Sequence, residues 1–373
     1  MGQEMKMPDL PCATARQNGI GESMRILGIE TSCDETAIAL VDAFGRLRAP
    51  RFKIIVAEIS SQIEVHRPFG GVVPNLAKRE HLKNIPFLYQ NIIRNSIHEP
   101  ADEIQNSLDA IAVTVGPGLE PALWTGINFA KDLYEKLKKE NKNLKIIGVN
   151  HLEGHLFSFL LPQKAKNIKL KNVFPAVALI VSGGHTILLK MDSLEKWKKI
   201  GETKDDAVGE SFDKVAKMLE LPYPGGPEIE LLAAKGDCRA IIFPRPMINS
   251  KNYDFSFSGL KTSVLYYTRD HKNARKADVA ASFEEAALDA LVKKTGRAAK
   301  EFAARSILLS GGVAANKKLR LKLKAVSREL HVNFFAPPIK FNTDNAVMIA
   351  GAGYMAHLRK KNRRLTANGS LDI

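Results

Sequence analysis

The sequence predicts an α/β protein of two related domains facing a cleft, and two pairs of repeated patterns carry that expectation. After Arg25 the chain reads Ile-Leu-Gly-Ile-Glu-Thr-Ser-Cys-Asp-Glu-Thr-Ala-Ile-Ala-Leu-Val, and residues 176–191 read Ala-Val-Ala-Leu-Ile-Val-Ser-Gly-Gly-His-Thr-Ile-Leu-Leu-Lys-Met. Both are apolar, β-branched runs around a short polar turn, the signature of a strand hairpin. The second pair is a strand, a glycine turn and a helix. Asp109 to Val115 leads into Gly116-Pro117-Gly118 and a helical stretch from Ala122 to Leu137. Ser306 to Leu309 leads into Ser310-Gly-Gly-Val-Ala-Ala-Asn316 and a further helical run. A hairpin followed by a strand, turn and helix, occurring twice, is the mark of internal duplication.

The glycine turns say what the cleft is for. A turn that ends a strand and begins a helix exposes backbone N–H groups and the positive end of the helix dipole, which suits a phosphate. Any one such turn is more often just a tight connection. Four in a duplicated α/β chain favour a nucleotide cleft. Residues 201–221 begin as an acidic loop and continue as an amphipathic helix that Pro222-Tyr-Pro-Gly-Gly-Pro227 stops. Asp213 lies inside that helix, and propensity leaves open whether it faces solvent or projects into the cleft.

Composition sets the outer bounds. The chain has 373 residues, 45% of them hydrophobic, enough for two or three domains with a packed core. No apolar run reaches the ~18 residues of a membrane span. Val173 to Leu189 is interrupted by Ser182, Gly183, Gly184 and His185. The three cysteines, Cys12, Cys33 and Cys238, show no Cys-x-x-Cys spacing. They predict a reducing compartment and a cytoplasmic protein. Residues 1–24 lack an apolar stretch and carry more acid than a presequence tolerates, so they read as an extension. The net charge of +15 favours a polyanionic partner, with basic residues clustered at 272–276, 317–324 and 357–364.

The stretch Asn150-His-Leu-Glu-Gly-His155 raises the question of a metal. On a helix, His151 and His155 would lie on one face, about 40° apart, able to grip one ion. In zinc peptidases of the pattern His-Glu-x-x-His the glutamate follows the first histidine and serves as base. Here Leu152 takes that place, and Glu153 would point elsewhere. Two histidines alone are more often ordinary helix residues, and a third ligand must come from far along the chain. Asp344 is of the right type, but it stands where a helix begins, and on sequence grounds alone capping that helix is favoured over ligation.

Nine ordered motifs extend these readings. They are Gly-Ile-Glu-Thr-Ser-Cys-Asp-Glu-Thr (28–36), Gly-Gly-Val-Val-Pro (70–74), His-Leu-Glu-Gly-His (151–155), Val-Ser-Gly-Gly-His-Thr (181–186), Asp-Asp-Ala-Val-Gly-Glu-Ser-Phe-Asp (205–213), Tyr-Pro-Gly-Gly-Pro (223–227), Phe-Ser-Phe-Ser-Gly-Leu-Lys-Thr (255–262), Gly-Gly-Val-Ala-Ala-Asn (311–316) and Thr-Asp-Asn-Ala (343–346). Together they resemble the bacterial-type threonylcarbamoyladenosine transferases of tRNA, over nearly the whole length from Met24 to about Met355.

The resemblance implies an actin-like ATPase fold (the ribonuclease H-like class) of two duplicated domains. Residues 1–24 would be a disordered extension and 25–150 a first domain, with the C-terminal helix of 345–373 packing back on it. Residues 151–344 would be a second domain holding the metal and nucleotide site. It implies a metal, Fe2+ with Zn2+ as the alternative, on His151, His155 and Asp344, and acyl transfer from threonylcarbamoyl-AMP to the exocyclic amine of the adenosine beside the anticodon of tRNAs reading ANN codons. Ile180, Val181, Ser182, Gly183 and Gly184 would line the phosphate and acyl group. Asp213 and Glu230 would hold ribose hydroxyls, Gly226 would let the backbone approach, and Asn316 would contact adenosine. Glu230 stands where aspartate is more usual. Asp34 and His185, in the paired hairpin turns, are the candidates to take the amine proton, although such residues also stabilise turns. The expected partners are tRNA, an inactive paralogue and a small ATPase, with no membrane. A metal-dependent peptidase and a non-catalytic actin-like subunit that binds nucleic acid are the alternatives. A sugar or acetate kinase fits less well, since the glycine turns lack an evident phosphoacceptor base.

Overall fold

Strand runs that are apolar at every position need cover on both faces, and the fold supplies it. The computed structural model describes residues 22–96, 101–162 and 168–373. The expected extension therefore lies outside the described residues as far as residue 21, and the first strand begins at Glu22. One sheet contains β1 (Glu22–Glu30), β2 (Glu35–Gly45), β3 (Arg51–Ser61), β4 (Ala110–Gly116) and β5 (Lys145–Asn150), in the order β3-β2-β1-β4-β5. The other contains β6 (Ala176–Val181), β7 (Thr186–Met191), β8 (Trp197–Glu202), β9 (Ser306–Ser310) and β10 (Asn333–Phe335), in the order β8-β7-β6-β9-β10 when read from the matching edge.

The two sheets agree in direction as well as order. Each has an antiparallel three-strand run, β1-β2-β3 or β6-β7-β8, and parallel strands beyond it, β4-β5 or β9-β10. Even the register shift recurs in the middle strand of each run, at Leu40/Val41 and at Leu188/Leu189. The duplication read from the hairpins is thus a duplication of topology, in an α/β fold of actin-like type.

The helices are α1 (Ile63–His66), α2 (Pro74–Asn95), α3 (Ala101–Ser107), α4 (Glu120–Lys138), α5 (His151–Phe157), α6 (Val208–Met218), α7 (Gly225–Ala233), α8 (Ser258–Asp270), α9 (Lys276–Glu301), α10 (Lys317–Glu329) and α11 (Ala346–Leu358). Alternation along the strands assigns their faces. Leu27, Ile29, Ile38 and Leu40 turn to one side, where α2 and α4 cover them with Ile85, Leu88, Leu123 and Ile127. Each such side chain, fully buried, contributes about 1.5–3 kcal/mol. On the other side Ala37, Ala39, Ala110 and Ala112 make a shallow surface for α11, which is buried from Ala346 to Ala356. Gly28 is obligatory here, because a β-carbon on it would lie 2.3 Å from the Ala346 carbonyl oxygen.

That second core does not stop at the first sheet. It continues through Leu152 and Leu156 of α5 to Ala176, Ala178, Ile180 and Leu189 of the second sheet. Helix α5 therefore sits in apolar packing shared by both halves. Beyond α11 the chain runs back along the first sheet, where the Asn368 amide donates to Val115 O at 2.9 Å. The Asp372 carbonyl then accepts from Asn150 Nδ2 at 2.9 Å. Among the described residues no helix is long and apolar enough to cross a membrane.

Candidate metal centre and nucleotide cleft

Helix α5 starts where it does because Asn150 caps it. The Asn150 side-chain oxygen accepts from the amides of Leu152 (2.7 Å) and Glu153 (3.3 Å). One helical turn then puts His151 and His155 on the same face, their rings 4.7 Å apart and steeply inclined at 86°. Gly154 allows the helix to lie against α11, since a β-carbon there would already be 3.1 Å from Ile349 and Met348.

The third residue comes from the turn before α11. Asp344 was suited by sequence to cap that helix, but Asn345 does so, accepting from the Met348 amide at 3.0 Å. The Asp344 carboxylate is left to face the histidines, with Oδ1 3.4 Å from His151 Nε2 and 3.2 Å from His155 Nε2. The three ligand atoms lie within 4.8 Å of one another. Burial by itself would raise the Asp344 pKa, but the facing charge on His151 outweighs it and holds the carboxyl well below the usual range.

His155 decides whether this donor set fits a cation. Its ring is completely buried, and neither ring nitrogen has a hydrogen-bond partner. The approach of Nε2 to Asp344 is close without hydrogen-bond geometry. A buried polar atom left unpaired costs about 1–3 kcal/mol, which a cation at Nε2 would relieve. Two imidazoles and one carboxylate with open positions are a donor set that iron or zinc accepts.

Glu153, the only acid on α5, is turned away from this centre. Its carboxylate is gripped by Arg359 and by Arg363, the latter at 2.8 Å. Arg359 also stacks over Phe157 and Trp197. The basic run at 357–364 is therefore partly structural. So is the run at 317–324, where Lys318 and Lys322 pair with Glu285, and Arg320 donates to Pro337 O and Asn342.

The remaining candidates fall into two groups. The turn from Ser182 to His185 closes on itself, the Ser182 amide donating to His185 O (2.8 Å) and the His185 amide to Ser182 Oγ (3.1 Å). Glycines crowd in beside it from two other elements. A β-carbon on Gly209 would lie 2.6 Å from Ser182 O, and one on Gly311, whose φ is +94°, 2.2 Å from Val181 O. Gly183 and Gly184 themselves border open space. The first half repeats the device, with Gly118 (φ +155°) packed against Ser32 O. His185 is pushed down to about 4, first by burial and then by the charges of His151 and His155.

The second group runs along α6, α7 and α10. Asp213 accepts from the Gly225 amide at 2.7 Å, and Gly226 borders open space. Glu230 accepts from the Lys317 amide at 3.0 Å. Asn316 caps α10 through Leu319 N (2.8 Å) and donates to the buried Glu284 at 2.8 Å. Asp34 joins the two halves of the cleft by accepting from Tyr223 Oη at 3.4 Å.

Residues 53–351 match the family model described as TsaD, tRNA N6-adenosine threonylcarbamoyltransferase. The chain belongs to that family. Threonylcarbamoyltransferases are acyltransferases, and the one from Thermosipho melanesiensis is 48% identical over 331 residues, covering 89% of this chain and 94% of its own. That from Moorella thermoacetica is 44% identical over 352 residues, covering 93% and 96%. Among solved structures, full-length HypF in its phosphate- and nucleotide-bound form superposes with a TM-score of 0.53 at 15% identity, over 90% of this chain and 47% of that one. HypF from T. kodakarensis gives 0.52 at 15%, over 91% and 48%. The chain thus spans about half the length of either HypF, and at that identity the likeness speaks for the fold alone.

Within this threonylcarbamoyltransferase, sequence reasoning passed over Glu30, Ser32 and Thr114 around His151, and Glu284 behind Asn316. Glu30 and Ser32 had a signal, since both lie in the motif 28–36. Thr114 and Glu284 had none.

Proposed function

We propose that the chain transfers the threonylcarbamoyl group from threonylcarbamoyl-AMP to the exocyclic amine of the adenosine 3′ to the anticodon in tRNAs reading ANN codons, releasing AMP. The observation that carries this reading is the triad of the buried His151 and His155 with the half-buried Asp344, one imidazole of it unpaired, in a family whose members are named for threonylcarbamoyl transfer to tRNA adenosine. Those three residues would hold one divalent ion, iron or zinc. Such an ion, when bound, acts as a Lewis acid that polarises a carbonyl or phosphoryl oxygen.

The chain's own residues do the rest. A C–N bond forms between the adenosine amine and the carbamoyl carbon, the bond from that carbon to the phosphate oxygen breaks, and the amine loses a proton. The leaving group is already good, so positioning and charge stabilisation matter more than a strong nucleophile. The backbone of Ile180–Gly184 is assigned to the phosphate and acyl group, Asp213 and Glu230 to the ribose hydroxyls, Gly226 to close approach and Asn316 to adenosine. His185, with its pKa near 4, is neutral at physiological pH and has a ring nitrogen able to accept a proton. Asp34 is the other candidate. The charge of +15 suits tRNA, and an inactive paralogue and a small ATPase are the partners assigned to a chain of this bacterial type.

A peptidase would need a carboxylate base beside the metal. Leu152 stands in its place and Glu153 is committed to two arginines. The deciding experiment combines the purified protein with threonylcarbamoyl-AMP, unmodified tRNA and the two bacterial partners, and looks for modified adenosine by mass spectrometry of digested tRNA. Absence of product under those complete conditions rejects the assignment.

Asp213 gives a pH test of the ribose contact. Burial, reinforced by Asp34 and Glu210 against the amides of Gly225 and Gly226, raises it from 3.8 to about 6. A raised carboxyl favours folding most when protonated. Its contribution is complete below 3.8 and is lost as pH climbs through about 6. Nucleotide affinity runs the other way, because ribose hydroxyls need the ionised acceptor. Affinity measured by calorimetry should fall as pH drops through about 6, and Asp213→Asn should flatten that step. A wild-type affinity unchanged between pH 5 and 7.5 would remove Asp213 from the ribose.

A further inference from the structure

Among the described residues, Glu30 is a fully buried carboxylate that no lysine or arginine pairs with. It ends β1, is 0% exposed and reaches across the sheet toward α5. Three groups converge on it. Glu30 Oε1 accepts from the Ser32 amide at 2.5 Å, and Oε2 accepts from Thr114 Oγ1 at 2.8 Å and faces His151 Nδ1 at 3.0 Å. Ser32 Oγ adds a second oxygen 3.2 Å from the same ring nitrogen. A charged acid in such a place is expensive unless its oxygens are all engaged. The Ser32 amide and the Thr114 hydroxyl give their protons to Glu30, and because an ionised carboxylate can only accept, Oε2 at 3.0 Å puts the proton of that contact on His151 Nδ1.

We propose that Glu30 is a positioning residue for the metal centre. It holds His151 with its proton on Nδ1 and fixes the plane of the ring, so that the lone pair of Nε2 points to the place shared with His155 and Asp344. This rests on the metal reading above. A metal-ligating imidazole whose other nitrogen donates to a carboxylate is oriented and made a stronger donor, and loss of such a partner weakens metal affinity 10–100-fold. The arrangement also ties the centre to the first sheet: Glu30 and Thr114 sit near the ends of β1 and β4, while His155 and Asp344 reach the ion from α5 and the turn before α11.

Glu30→Gln is the discriminating change, because the two halves of its amide are not equivalent in this pocket. The Ser32 amide demands an acceptor, so the Gln oxygen must face Ser32 and its NH2 must face His151. Nδ1 then becomes an acceptor, and the ring proton moves to Nε2, where it competes with the ion. We expect Co2+, titrated into metal-free protein and followed by its visible absorption, to bind Glu30→Gln 10–100-fold more weakly than wild type. In Zn2+-loaded, 15N-labelled wild type, a downfield Nδ1–H proton of His151 should be visible, and it should be absent from the variant. Thermal melting of the metal-free forms serves as the folding control. Should Glu30→Gln fail to fold, Thr114→Val removes one donor to Glu30 and is expected to weaken Co2+ several-fold.

Equal Co2+ affinity in wild type and Glu30→Gln, or in wild type and Thr114→Val where that variant is the one measured, overturns the proposal alone. Wild type that binds neither Co2+ nor Zn2+ overturns it together with the metal reading, so the two failures are told apart.

Discussion

His155→Ala is expected to lose bound metal and to lower threonylcarbamoyl transfer by about 10³-fold, while the protein stays folded. The size follows from what an ion contributes to charge stabilisation, several kcal/mol, at tenfold in rate for each 1.36 kcal/mol. His155 is the sharpest place to look, because neither of its nitrogens has any other use: both are buried without a hydrogen-bond partner. Removing the ring therefore removes an unpaired polar group from the core, which limits the damage to stability to the lost packing volume. Metal content by mass spectrometry and transfer by tRNA digestion read the two effects separately. A variant that retained full metal would exclude His155 as a ligand.

Glu153→Ala should behave in the opposite way, costing about 3–5 kcal/mol of stability. Arg359 has a side chain only 2% exposed and Arg363 is 36% exposed; both end on this one carboxylate. Deleting it leaves the buried Arg359 guanidinium without its counter-charge. The denaturation midpoint should fall at an unchanged slope, and Glu153→Gln should fall less, because it keeps an acceptor. A peptidase-type base would give the reverse pattern, with activity lost and stability kept. A stability change below about 1 kcal/mol would contradict the burial of this pair.

How far these features were legible in the sequence depended on whether the cause was local. The hairpins at 26–41 and 176–191 were readable because buried strands are apolar at every position and their turns are polar. The outer strands were not. β3 and β8 lie at sheet edges with half-exposed patterns, and β10 spans only three residues. The histidine pair was readable because four residues make one helical turn. Asp344 looked like a cap, and only the tertiary structure gives that duty to its neighbour Asn345. What Glu30 and Glu153 bind was beyond reach of any window, for their partners lie 121, 206 and 210 positions away.

The apolar packing that α5 shares with both sheets has a thermodynamic consequence. Neither half can loosen without exposing side chains that also surround the metal ligands, so the two sheets cannot melt as independent units. On the proposed metal reading, folding and metal retention would be linked: an ion held by His151, His155 and Asp344 would stabilise β1 and β6 alike, and a cavity opened in the core of either sheet would be felt as faster metal loss. The occupancy of an ion at that site would then report the integrity of both sheets at once.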